Sequence, residues 1–250
     1  GDRAAAIRWL PAEAAAWPEI ADDPPALLIH AATCYGRPHE TVAQLVEANV
    51  IFPLRVIAAI APTAVLDLAT PMPPDFNRYA ESKADFARWA GRMAARLVQA
   101  PMQRLYGPGE DGAGVVPSMI RACLSGAATL DITSGTQRRD FIHVDDAARA
   151  LALLARRMID GAESPSVVEI GTGQTIAIKD LASLIARLCA TGTRVAPGAL
   201  PNRPGEPPLL VADPRYMLSL GWAPRISLER GLAAQIATYP PSSQATSRAP

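Results

Sequence analysis

Short runs of consecutive apolar residues alternate along this chain with longer stretches in which apolar positions return every three or four residues. The short runs are "AIRWL" (6–10), "PALLIHAAT" (25–33), "TAVLDLAT" (63–70), "APMQRLY" (100–106) and "SVVEIGTG" (166–173). They do not alternate polar with apolar, the mark of strands buried on both faces of a parallel sheet. The periodic stretches predict helices at 40–60, interrupted at Pro53, and at 73–97, where Pro and Asp precede strong helix formers. Further helices are predicted at 115–124, 145–158, 178–189 and 228–239, with short strands at 130–133 and 138–144. Strand–helix alternation of this kind predicts βαβ units and an α/β doubly wound parallel sheet. No internal repeat is visible.

Composition narrows the partners. Formal net charge is zero and the pI is near 7.0, so the chain lacks the electrostatic footprint of a nucleic-acid or anionic-membrane binder. Glu47 and Arg55 break the most apolar region before 18 residues accumulate, and no signal-peptide core is present, which leads us to expect a soluble, cytoplasmic protein. Three widely spaced cysteines (34, 123 and 189) fit reduced, mostly buried thiols. His30, His39 and His143 have no metal-ligand spacing, and no metal is expected. The cations are lopsided, 22 arginines against two lysines, and arginine is the residue that grips phosphate with two parallel donors.

One of those two lysines carries the chemistry. In "RYAESK" (78–83) Tyr79 precedes Lys83 by four residues, so on a helix the two project side by side. A phenol is a poor acid or base at neutral pH, and an ammonium one turn away would lower its pKa toward the working range. Alone, so short a motif is weak.

Its company strengthens it. "RYAESK", "LYGPGE", "RRDFIHVDD", "VVEIGTG" and "RPGEP…VAD…LGW" follow one another in order between about residues 26 and 236. This series resembles the extended short-chain dehydrogenase/reductase family, the NAD-dependent epimerase/dehydratase enzymes acting on nucleotide sugars. "IHAATCYGR", "VEANVIFPLRVI" and "DFNRYAESKADF" are most similar to the branch that reduces CDP-4-keto-deoxyhexoses.

The resemblance implies a Rossmann-like cofactor domain from 1–106 and 143–173, a substrate-binding region from 107–142 and 174–238, and a disordered tail at 239–250. It implies NADP or NAD as cofactor, a nucleoside-diphosphate sugar as substrate, and a homodimer. It makes Tyr79 the acid/base and Lys83 both its activator and a ligand of the nicotinamide ribose. Thr70 becomes the hydroxyl donor to the substrate oxygen. Ala31, Ala32 and Thr33 allow close approach of the cofactor, and Arg139 and Arg203 clamp the diphosphate. Asn49, His143 and Tyr106 are expected to be structural.

The chain also departs from the family pattern. Extended members open on a strand and a Gly-x-x-Gly-x-x-Gly loop, whose bare backbone meets the pyrophosphate. Gly1 is the only glycine among the first 35 residues here, so this first βαβ unit is expected to be missing. A literal Gly-x-Gly-x-x-Gly at 107–112 is rejected as its replacement, because Glu110 and Asp111 would repel phosphates. Leu68 stands where the family places a serine or threonine, with Thr70 two residues on. Two alternatives therefore stay open: a non-catalytic relative that binds a sugar nucleotide or pairs with an intact homologue, and a fragment of a longer chain.

Overall fold

The computed structural model describes Trp17 and residues 24–110 and 114–240. The run "AIRWL", the last glycine of 107–112 and the tail beyond residue 240 lie outside the described residues. The first sheet is parallel, with β1 (Leu28–His30), β2 (Val65–Asp67) and β3 (Leu97–Gln99) in that order. On the far side of β3 the segment 166–170 runs parallel to it, bridging Gln99 to Val167 and Met102 to Ile170.

Between β1 and β2 lies α1 (Val42–Ile60). The expected interruption at Pro53 does not occur. The helix passes through a π-helical turn, Glu47–Ile51, immediately before the segment that carries Pro53. A wider turn accommodates a ring that lacks an N–H and would clash with the preceding carbonyl. By length and apolar composition alone α1 could cross a membrane, despite Glu47 and Arg55. Here its inner residues Leu45, Asn49, Val50 and Ile57 are buried, and it packs along α2 (Arg78–Met93).

The strands separate two apolar layers. Val65 joins Ile57 of α1 and Phe86 and Ala90 of α2 on one face. Leu66, one residue on, faces the other way, toward Ala150 and Leu154 of the later helix Val144–Ile159. The helix predicted at 73–97 ends early, at Met93. Ala94 is extended and Leu97–Gln99 become β3, because pairing with Val65–Asp67 outweighs local helix propensity there.

The second half holds β4 (Arg104–Tyr106), α3 (Val115–Leu124), β5 (Thr129–Ile132), β6 (Arg138–Arg139), β7 (Phe141–His143) and α4 (Val144–Ile159). These are followed by β8 (Ile176–Ala177), α5 (Ile178–Cys189), β9 (Arg194–Pro197), β10 (Leu209–Leu210), α6 (Arg215–Ser219) and α7 (Leu228–Ile236). Strand β4 runs parallel to β7, β5 to β9, and β6 lies between β10 and β8. A separate core gathers Tyr106, Ile120, Phe141, Leu181, Ile185 and Leu232.

Asn49 ties the loop after β1 to α2. Its amide donates to the Cys34 carbonyl (2.8 Å) and to Ser82 Oγ (2.9 Å), and its oxygen accepts from the Cys34 N–H (2.7 Å). Replacing Asn49 with alanine orphans these buried groups and is expected to cost about 2–4 kcal/mol in chemical denaturation. A loss below about 0.5 kcal/mol, the range of an ordinary surface change, would contradict that role.

Candidate active site

The carboxyl ends of β1 and β2 carry two polar residues in otherwise apolar strands, His30 and Asp67, which are register partners. Both are buried, and His30 Nδ1 lies 2.8 Å from Asp67 Oδ1. In open α/β sheets this edge is where ligands bind. Helix α2 starts beside it, capped by Asn77, whose side-chain oxygen accepts from the Ala80 N–H at 2.8 Å. The cap sets Tyr79 in the first turn and Lys83 one turn further, on the same face.

Lys83 turns inward. Its ammonium is 3% exposed and donates to Asp67 Oδ1 at 3.0 Å, over the ring of Phe86. Tyr79 is half-buried and leans on Tyr35, with ring centroids 5.3 Å apart. Burial, the Tyr35 phenol and the Asp67 carboxylate push the Tyr79 pKa up, against a smaller opposing pull from the Thr33 and Thr70 hydroxyls. The lowering expected from Lys83 is not seen, since the ammonium pairs with Asp67 instead. Tyr35, Gly36, Leu45, Asn77, Arg78 and Tyr79 border a recess of about 350 Å³.

Thr70 stands at this phenol, and its oxygen also accepts from the Met72 N–H at 3.3 Å. Leu68 donates its backbone N–H to the His30 carbonyl at 3.0 Å. Ala31 and Ala32 are exposed at the end of β1, and Thr33, at the phenol, reaches Asn49.

The arginines split by environment. Arg139 is 1% exposed; it donates to Glu206 Oε1 at 2.6 Å and to the Arg138 carbonyl at 2.8 Å. Arg203 is exposed on the loop before Glu206. Arg104 on β4 was not among the expected site residues, yet it joins them. Surrounding protein, Arg139 and Arg203 lower its pKa, while Glu206 and Tyr79 act in the opposite direction. Its side chain nonetheless remains solvent-exposed, and exposure decides whether a ligand can reach it. Arg104, Arg139, Arg203, Glu206 and Tyr79 therefore border one cleft.

The rejected glycine run behaves as a turn. Gly107 has φ +148°, and a Cβ there would meet Val144. The Glu110 carboxylate lies against Gly114, the cap residue of α3, and also accepts from Gln235 (3.2 Å), so an acid occupies that helix N-terminus. His143 caps α4, accepting the Asp145 N–H at 3.2 Å, and Tyr106 packs edge-on against it. Among the described residues no group of three His, Cys, Asp or Glu is arranged to hold a metal.

Residues 62–171 match the model of the NAD-dependent epimerase/dehydratase family. CDP-abequose synthase of Salmonella typhimurium is 29% identical over 223 residues, covering 82% of this chain and 73% of that enzyme. The chain belongs to this family. A GDP-L-fucose synthase of Sinorhizobium fredii is 30% identical over 186 residues, covering 69% of this chain and 57% of the relative. Among solved family structures, MoeE5 in complex with UDP-glucuronic acid and NAD is 28% identical, with a TM-score of 0.71, covering 85% of this chain and 78% of MoeE5. RMD from Pseudomonas aeruginosa, complexed with NADPH, has a TM-score of 0.75 at 19% identity, covering 93% of this chain and 87% of RMD; this likeness establishes the fold alone. The family match begins at residue 62, after β1 and α1, and includes Asp67, Thr70, Tyr79, Lys83, Arg104 and Arg139.

Proposed function

We propose that this chain is an NAD(P)-dependent reductase of a nucleoside-diphosphate 4-keto-deoxyhexose. The observation that carries it is the protonation state of Tyr79. Carbonyl reduction needs a proton donor at the substrate oxygen, and a phenol held above its ordinary pKa is in the donating form at neutral pH. Epimerisation would begin with oxidation and need the phenolate, which this environment disfavours.

The residues present fit one half of the cofactor. Lys83 has three donors and makes one side-chain hydrogen bond, to Asp67, leaving two for a ribose diol. The buried His30 Nε2 and Asp67 Oδ2 beside it have no partner. Ala31 and Ala32 present no bulk along the strand edge. No cradle for the pyrophosphate lies among the described residues. When bound, the nicotinamide supplies a hydride to the sugar carbon. Tyr79 then gives its proton to the sugar oxygen, with Thr70 as second donor. Arg104 and Arg203 meet the diphosphate with rigid forks of N–H groups, and Arg139 holds Glu206 behind them.

Val42, Val46, Trp89 and Met93 leave apolar surface exposed on neighbouring helices α1 and α2, which supports a homodimer through that face. Sedimentation at micromolar concentration should show a dimer; a monomer there removes this part. The three unpaired cysteines support a reducing, cytoplasmic setting.

A second reading is a relative that binds a sugar nucleotide without turning it over. Leu68 at the usual hydroxyl position and the burial of Lys83 on Asp67 favour it. Calorimetric titration with NADPH and with NADH separates the two. Micromolar binding of either supports the reductase. Silence up to millimolar, with CDP-sugars still binding, supports the second reading.

A further inference from the structure

The Asp67 carboxylate has no part in the proton transfer just described, yet it sits at the centre of the site. It is fully buried, at 0% exposure, and one of its oxygens, Oδ1, takes both His30 Nδ1 (2.8 Å) and Lys83 Nζ (3.0 Å). The three residues come from β1, β2 and α2, so the carboxylate joins the two strand ends to the helix that bears Tyr79. Beneath them lies Phe86, whose ring is 4.4 Å from the His30 ring and 5.9 Å from the Lys83 ammonium. No water-exposed route lets Lys83 choose another anion.

We propose that Asp67 is a positioning residue of this site, fixing the Lys83 ammonium behind Tyr79 and offsetting its charge there. An ammonium alone would draw Tyr79 toward phenolate; an ammonium paired at 3.0 Å presents little net charge to it. The direction observed at Tyr79 agrees: Asp67 is among the groups that raise its pKa. The other groups facing the phenol are Tyr35 from the loop after β1, Arg104 from β4, and the hydroxyls of Thr33 and Thr70. Only the Asp67–Lys83 pair joins a buried carboxylate to a buried ammonium among them. The pair thus keeps Tyr79 a proton donor rather than a base. This rests on the reductase reading for its catalytic meaning but not for its test.

The test is the ultraviolet titration of the Tyr79 phenol in the whole chain, without cofactor or substrate, isolated by subtracting the curve of Tyr79→Phe. In Asp67→Asn, subtracted with its own Tyr79→Phe partner, Lys83 is uncompensated, and Tyr79 is expected to ionise about one to two pH units lower. An unchanged midpoint, or one moved upward, overturns the proposal. Should Asp67→Asn fail to fold, Lys83→Met gives the reciprocal test: the carboxylate is left opposed by no ammonium, and Tyr79 should ionise at higher pH. A midpoint that stays put or falls in Lys83→Met also overturns it. Because neither titration involves turnover, an inactive enzyme with the expected midpoints would discard the reductase reading alone.

Discussion

Tyr79→Phe is expected to bind nucleotide and cofactor within about twofold of the wild type and to reduce a keto-sugar about 10²–10⁴-fold more slowly, the usual size of a lost general acid. Phenylalanine keeps the ring that stacks 5.3 Å from Tyr35, so the recess beside it should retain its shape. Only the hydroxyl goes, and with it the proton. Single-turnover absorbance measurements of nicotinamide oxidation would separate this from a binding defect, since a loss confined to KM would place the role of Tyr79 in binding. The pH profile carries the same information. The donating form is the protonated phenol, and its raised pKa means that reduction should hold steady through neutral pH and fall only above the ordinary phenol range. A decline that begins near neutral pH would show Tyr79 working as a base.

The arginines are expected to part company on substitution. Arg139→Met removes the partner of Glu206, a carboxylate only 17% exposed, and should destabilise the fold by about 3–5 kcal/mol, the cost of leaving one half of a buried ion pair. Arg104→Ala removes an exposed side chain and should leave the melting temperature nearly unchanged. It should instead weaken a nucleoside diphosphate about 10–100-fold, the worth of one charge-assisted hydrogen bond of about 1.5–3 kcal/mol. Thermal melts and calorimetric titrations with CDP on both variants check the pair. Equal effects on stability would mean that Arg104 is structural as well.

Why the sequence separated some of these roles and not others is a matter of range. The helices Val115–Leu124 and Ile178–Cys189 were legible because their apolar residues repeat at helical spacing over three turns, with nothing competing. The early end of α2 was not, because "LVQ" takes its conformation from β2, some 30 residues away in the chain. Pro53 looked like a break because a proline signals one locally, while the π-helical turn that absorbs it has no composition of its own. Tyr79 and Lys83 were legible from four-residue spacing. The fate of the Lys83 ammonium was not, since Asp67 reads only as a stray acid in an apolar strand until His30 and Lys83 converge on it. Arg104 and Arg139 look alike in sequence. Glu206, 67 residues beyond Arg139, separates them by burying one and leaving the other open.

The central claim is that the phenol of Tyr79, at the carboxyl edge of this sheet, delivers a proton to a nucleotide-linked keto-sugar. Its most direct measurement is the loss of reduced-nicotinamide absorbance when the purified chain meets a CDP-4-keto-deoxyhexose with NADPH or NADH. Consumption of one equivalent of cofactor per sugar by the wild type, and its near-abolition in Tyr79→Phe, is the predicted result. Binding of both ligands with no consumption, or turnover that survives in Tyr79→Phe, would contradict it.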